Sequence, residues 1–427
     1  MHTCEFAVIG AGVSGLVTAW LLSRHHDVAL IEQNQWFGGH THTVPVDDPV
    51  GLMGIDTGFI VFNRKNYPHL SSFFDHLKVD CQAVPMTFSA SIGQGDIEYA
   101  GDNLDTLFAQ RSKLFSPSHW RMIADILKFN ARAREDLSSG IDPDLSLRDY
   151  LNQLRLGDGV RDHYLLPMAA AIWSCPLATM LEFPAASFLR FFANHGLLSV
   201  SDRPQWYSVK GGSQAYVQAV LAQLTGPRFS DSPVERVEHD GQVYRIHTAS
   251  GNQILAENVV FGCHADEALA LLGERATEDE QALLSCFRYQ ENTAWLHTDE
   301  RLMPERRKVW SSWNYLADYR LAGRPVSVTY WMNILQKLPE GARNYLVSLN
   351  PLSEPAQDKV IKRITWNHPV FDREAMRAQA SLKDLQGKNN RWFCGSYFGY
   401  GFHEDGIRSA VELCNAMGIK APWQEVI

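Results

Sequence analysis

The residues whose type and spacing could do chemistry gather first near the N-terminus. Gly10-Ala11-Gly12-Val13-Ser14-Gly15 spells GxGxxG, and Glu32 stands 20 residues past Gly12. The first glycine makes a tight turn, the second lets backbone approach a pyrophosphate, and the third lets a helix pack on a strand. A helix opening at this point offers the free N–H groups of Val13 and Ser14, and a partial positive charge, to phosphate. Glu32 can accept hydrogen bonds from ribose hydroxyls. The pattern predicts a dinucleotide site without choosing the dinucleotide.

The elements needed to position that loop are legible around it. Residues 5–9 read as a buried strand, residues 16–23 as an apolar helix and residues 28–31 as a second strand, together the βαβ opening of a doubly wound sheet. An amphipathic helix is expected over 66–77, and 104–200 reads as largely helical with few strand signals. Gly211-Gly212-Ser213 leads into a helix, followed by strands at 234–237, 243–248, 254–256 and 259–261. Strands are also expected at 326–332 and 345–349. The end returns to strand, glycine and helix: Arg391–Cys394, Gly395, then a helix over 405–417.

Two further glycine-bearing stretches make the pattern specific. Phe37-Gly38-Gly39-His40-Thr41 follows Glu32, and Gly54-Ile55-Asp56-Thr57-Gly58-Phe59 follows that. Near the other end, His403-Glu404-Asp405-Gly406-Ile407-Arg408-Ser409-Ala410 follows Gly395. In these stretches the chain resembles the flavin-containing amine oxidase and phytoene desaturase superfamily, with His40 where that superfamily carries arginine and Asp405-Gly406 in place of Gly-Ala. The resemblance covers the first 60 residues, about 210–265 and 390–415. It implies an α/β fold, in which a Rossmann-like FAD-binding domain of the amine-oxidase type (1–65, 208–266 and 385–427) is interleaved with an α+β substrate domain (66–207 and 267–384). It also implies FAD as cofactor. The contacts would come from Gly10, Gly12, Val13, Ser14, Gly15, Glu32, Gly38, Gly39, His40, Thr41, Asp56, Thr57, Gly58, Val234, Gly395, Glu404, Asp405, Gly406 and Ile407. The last helix would aim its N-terminus at the flavin.

The whole chain also resembles a narrower bacterial family of FAD-binding proteins, often encoded beside cyclopropane-fatty-acid-synthase-like methyltransferases. The stretches that carry this are His40-Thr41-His42-Thr43, Ala171-Ile172-Trp173-Ser174, Asn194-His195-Gly196-Leu197-Leu198, Tyr330-Trp331-Met332-Asn333 and Leu349-Asn350-Pro351, with Asp56–Phe59. It implies oxidation or desaturation of a lipid acyl chain by hydride transfer to flavin N5, and a lipid methyltransferase as a partner. Amine oxidation, double-bond isomerisation and a non-catalytic role as an FAD-bound partner subunit stay open beside it.

Flavin redox chemistry asks little of side chains beyond positioning, and no nucleophile–base pair stands out. Tyr330, Tyr397 and Tyr400 are the catalytic candidates, the last two because they adjoin Gly395 and Gly399. Asp56, Thr57, Phe59, Asn63, Trp173, His195, Trp331 and Asn333 are candidates for lining a pocket. Each has an ordinary alternative as a core residue, and His195 reads as a hydrogen-bonded core histidine as well as a base.

The chain's 427 residues exceed the usual single-domain range, and 45% of them are hydrophobic. A net charge of −9 argues against a nucleic-acid partner. Seven scattered cysteines with no CxxC pair read as reduced thiols, with neither a disulfide framework nor a metal site. No signal peptide or membrane span is apparent. A cytoplasmic protein is the expectation, with a peripheral contact to the inner face of the membrane through residues 111–134. That segment carries Arg111, Lys113, Arg121, Lys128, Arg132 and Arg134 beside Trp120, Ile123, Ile126, Leu127 and Phe129, and Asp125 interrupts it. A solvated basic face on a substrate-domain helix is the alternative.

Overall fold

Strand β1 (His2–Ile9) enters the first sheet, is buried from Phe6 to Ile9, and hands the chain to helix α1 (Val13–Leu22) through the glycine loop. The computed structural model describes residues 1–173, 180–199, 203–320 and 326–424. All ten residues of α1 are buried. A helix with no solvated face must be covered on every side, and α1 packs between this sheet and the closing helix His403–Ala416. Its first turn starts directly after Gly12, three residues earlier than the apolar run alone predicts, because Gly12 itself is the N-cap.

Strand β2 (Val28–Ile31) lies parallel to β1, and β1 is parallel to Gln253–Phe261. The sheet has seven strands. In order they are Arg228–Phe229, β2, β1, Gln253–Phe261, Tyr244–Thr248 and Val234–His239, with Arg391–Phe393 also paired to Gln253–Phe261. Three distant stretches therefore build one sheet. The segments expected as separate strands at 254–256 and 259–261 are one continuous strand.

A second seven-stranded sheet runs in the order Val360–Val370, Arg288–His297, Leu346–Leu349, Val326–Trp331, Trp313–Ala317, Phe88–Ile92 and Ile97–Ala100. Neighbours are antiparallel except Trp313–Ala317, which is parallel to Phe88–Ile92. Helices Pro117–Ser139, Leu147–Leu154 and Ala185–Asn194 pack beside it around Phe129, Phe188 and Phe192. A hairpin, Thr43–Asp48 with Gly51–Asp56, joins the first glycine loops to the second sheet. The architecture is a mixed α/β fold with a Rossmann-like first sheet. No helix among the described residues is long and apolar enough to cross a membrane.

Candidate functional site

The two loops near the N-terminus are locked against each other by backbone alone. Gly38 bridges to Gly12, and its N–H donates to the Ala11 carbonyl at 2.8 Å. A Cβ on Gly39 would fall 2.9 Å from the Gly12 Cα, and one on Gly15 would fall 1.9 Å from the Gly10 oxygen. Gly10 holds φ at +95°, a left-handed backbone that favours glycine. A Cβ on Gly12, by contrast, would meet nothing within 4 Å. That residue faces open space at the helix N-terminus, where a phosphate is best accommodated.

That space belongs to a cavity of about 960 Å³, at the upper end of the range for small-molecule sites. One end is walled by Gly10, Gly12, Val13, Ser14 and Glu32, with Gly262 and Val234. The middle is walled by Gly38, Gly39, His40, Thr57, Gly58 and Gly395. The far end is apolar and aromatic, with Phe88, Tyr99, Met168, Trp313, Tyr330 and Phe371 among its residues. Arg203 is the one Lys or Arg on the wall among the described residues.

Glu32 is buried, and its carboxylate accepts from Ala11 N at 2.8 Å and from Asn34 N and Nδ2 at 2.9 and 2.8 Å. Burial pushes its pKa up, partly offset by these donors. The carboxylate is thereby fixed at the cavity's polar end with lone pairs to spare for hydroxyl donors.

His40 stacks on Trp366 with ring centroids 4.5 Å apart and lies 5.2 Å from the His368 ring. Its Nε2 is buried without a protein partner. Burial, reinforced by neighbouring histidines, holds its pKa far below the ordinary value, and His368 is lowered to about 4 by the same effect. The imidazole is held in its neutral form, so what this wall offers an anion is backbone N–H groups and a helix dipole. Trp313 Nε1 and Tyr397 Oη, both on the wall, are likewise buried without a protein partner. Buried polar atoms are ordinarily satisfied, and these three are the unpaired buried ones among the described residues that line the cavity.

Several sequence candidates lie behind the wall. Gly15 serves helix packing, as its contact with Gly10 shows. Thr41 is fully buried and pairs with Tyr216 Oη at 2.6 Å and His403 Nε2 at 3.0 Å. Asp56 accepts from Thr43 Oγ1 at 2.6 Å and from Ser213 N and Oγ at 2.8 Å. Its carboxyl ties the hairpin to the Gly211-Gly212 turn, and burial lifts it to about 7. Glu404 accepts from His69 N and Leu70 N at 3.0 and 2.9 Å, so it caps the helix Pro68–Leu77. Asp405 accepts from Tyr400 N and Phe402 N, each at 3.0 Å, and pairs with Arg408. Gly406 lets the closing helix touch α1, since a Cβ there would sit 2.7 Å from Ser14 Oγ. Ile407 is core. These five side chains, with Gly15 and Gly406, shape the cavity from outside.

Tyr330, Tyr397 and Tyr400 line the cavity, with Thr57, Phe59 and His195. His195 Nδ1 pairs with the Phe191 carbonyl at 2.9 Å, and burial lowers its pKa to about 4. Asn63 and Asn333 instead bond backbone, to Asn66 N and Tyr345 N, and Trp331 Nε1 donates to Asn344. The Trp173 side chain and Ser174 lie outside the described residues. His403, at the start of the closing helix, went unsingled in the sequence. It lines the cavity, stacks on Phe59 at 3.8 Å, and is held to about 3 by burial. Its position beside Gly401, two residues earlier, was the available signal.

Residues 8–77 match the family described as the NAD(P)-binding Rossmann-like domain. Among solved structures, a putrescine oxidase double mutant from a redesign of cofactor binding matches with a TM-score of 0.68 at 16% identity, over 98% of this chain and 99% of that one. A CLA-producing fatty acid isomerase from P. acnes matches with a TM-score of 0.67 at 14% identity, over 97% and 98%. Cyclohexylamine oxidase from Brevibacterium oxydans IH-35A matches with a TM-score of 0.67 at 15% identity, also over 97% and 98%. At these identities the likeness is one of fold, and it runs the length of all three.

Proposed function

We propose that this chain is an FAD-dependent oxidoreductase whose substrate is the acyl chain of a lipid carrying an anionic head. One observation carries the reading: a single cavity runs from the glycine loop and Glu32 to an apolar aromatic wall in the second sheet. The polar end suits an adenosine diphosphate. Three glycine-bearing stretches, around Gly12, Gly39 and Gly395, suit a long planar cofactor laid across the sheet edge. Amine oxidases share the fold, and so does a fatty acid isomerase.

When bound, the flavin supplies two-electron redox chemistry. The chain's own part is to hold it, exclude water and orient the substrate. At the apolar end the wall residues offer no carboxylate among those described. The two carboxylates, Glu32 and Glu267, come from the nucleotide-binding half. Arg203 is the cation available there. This balance favours a carboxylate-headed chain over an ammonium ion, which would need a facing anion or a closed aromatic cage. Amine oxidation keeps one supporting feature, the presence of both Tyr397 and Tyr400 on the wall. A double-bond isomerase would use the same cavity without net oxidation.

The test is anaerobic incubation of the FAD-loaded protein with oleate, linoleate or putrescine, following absorbance at about 450 nm. Bleaching by a fatty acid supports the reading. Bleaching by the amine alone replaces the substrate. A rearranged fatty acid with unbleached flavin makes the protein an isomerase. A folded, colourless protein that refuses added FAD ends the proposal.

A further inference from the structure

The helix Pro117–Ser139 and the turn before it form the least covered apolar surface of the molecule. Leu104, Leu114, Phe115, Trp120 and Leu127 are 73%, 40%, 89%, 49% and 54% exposed, and they make up half of the large apolar side chains exposed among the described residues. Leu114, Phe115, Trp120 and Leu127 form one ridge, along the turn and the outer side of the helix it leads into, and Leu104 precedes them by ten residues in the chain. Ser116 caps the helix through its bond to His119 N, and Trp120 Nε1 donates to the Leu114 carbonyl at 2.9 Å, which folds the Leu114–Phe115 turn against the first helical turn. Trp120 also packs on Phe108, with ring centroids 4.9 Å apart.

The helix divides its apolar residues between two faces. Met122, Phe129 and Ala133 are buried against the body, while Trp120 and Leu127, seven residues apart, look outward with Arg134 next in the same row. Across 104–134 the sequence places six cations, Arg111, Lys113, Arg121, Lys128, Arg132 and Arg134, against two acids, Asp105 and Asp125, in a chain of net charge −9. Asp125 does not interrupt the outer face. Its side chain is 16% exposed and accepts from Gly157 N at 3.0 Å, so it turns to the body. Among the described residues Lys113, Lys128 and Arg134 have no ion-pair partner, although Lys128 Nζ donates to the Leu154 carbonyl at 3.2 Å. Exposed aromatic and aliphatic side chains rimmed by cations without a neutralising carboxylate are the pattern of a helix that lies in a lipid interface. The ridge also adjoins the cavity: Tyr99 and Gly101 are on its wall, and Leu104 follows Gly101 by three residues.

We infer that this ridge docks the protein on an anionic lipid surface, with Phe115, Trp120 and Leu127 inserted among the head groups and Lys113, Lys128 and Arg134 set against lipid phosphates. The inference stands on the surface alone and does not need the cofactor or the substrate assigned above.

The test is co-sedimentation of the full chain with phosphatidylcholine vesicles, with and without roughly a third phosphatidylglycerol, at low and high salt. Binding is expected to the anionic vesicles, weakened by salt. Phe115→Ser with Leu127→Ser should reduce it by about tenfold or more, and Lys113→Glu with Lys128→Glu should do the same. Leu52→Ser removes an equally exposed side chain on the hairpin, 73% exposed, and should bind as the wild type does. All these sites are exposed or rim positions, so melting temperatures should stay unchanged and serve as the control on folding. Failure to bind anionic vesicles, or equal binding by the ridge variants, overturns the inference. So does a concentration-dependent dimer that Phe115→Ser abolishes, because a second copy of this chain would then be the occupant.

Discussion

Single residues at this site act mostly through the charge they are prevented from carrying. Burial depresses His195, His368 and His403 to about 4, 4 and 3, and raises Glu404 to about 7. The two groups pull stability in opposite directions with pH. For a histidine whose folded pKa is lowered, stability is present above the unfolded value near 6.5 and drains away as pH falls toward 4. For Glu404 the folded pKa is raised, so its stability is present below the unfolded value near 4.5 and is lost as pH rises through about 7. Glu404→Gln removes that titration. Its stability relative to wild type should therefore improve between pH 5 and pH 8, by on the order of 2 kcal/mol, on top of a constant cost for one lost acceptor at the Pro68–Leu77 helix. Urea unfolding at the two pH values measures it, and a pH-independent difference would show that Glu404 ionises normally. None of this was legible in the sequence. Glu404 matched a motif, but whether a carboxylate faces a cavity or a neighbouring helix depends on the turn at Gly399 and Gly401, where backbone reverses.

At the scale of elements, the glycines of the first loop divide into those that hold backbone against backbone and those that face a ligand. Gly15→Ala would drive a Cβ to 1.9 Å from the Gly10 oxygen, whereas Gly12→Ala meets nothing within 4 Å. Gly15→Ala should therefore lower the melting temperature sharply, at a cost of about 3 kcal/mol or more. Stripped of cofactor, Gly12→Ala should melt as the cofactor-free wild type does, and yet it should fail to take up flavin, since its methyl enters the space where phosphate would approach. Thermal melts beside flavin-to-protein absorbance ratios decide this, and an unstable Gly12→Ala or a flavin-replete Gly15→Ala would refute the division. That β1, α1 and β2 were readable follows from their burial: short, mostly apolar runs around an unmistakable loop. The hairpin Thr43–Asp56 is not among the sequence-based expectations although Asp48-Pro49-Val50-Gly51 is good turn chemistry, because its two strands, mostly half-exposed, carry no buried apolar run. Phe88–Ile92 was missed for a different reason. Its parallel partner, Trp313–Ala317, lies more than two hundred residues away, and no local pattern encodes such a pairing.

At the scale of the molecule, the cavity is a seam between two sheets, neither of which is built from one stretch of chain. Walls from Gly12 and Glu32 belong to the first sheet and its loops; walls from Phe88, Trp313 and Tyr330 belong to the second. A ligand spanning the seam touches both at once, so its binding energy should stabilise both together. At a free concentration about a thousand times its dissociation constant, FAD should add roughly 4 kcal/mol to the unfolding free energy if the unfolded chain does not bind it. The expected result is a single transition whose midpoint rises by the same amount whether followed by far-ultraviolet circular dichroism or by tryptophan fluorescence. The latter samples both halves, through Trp392 in the first sheet and Trp313 and Trp366 in the second. If one probe moved and the other stayed, the halves would melt independently and the cofactor would belong to one of them. The cavity's aromatic end would then be a separate site, not a continuation of the same one.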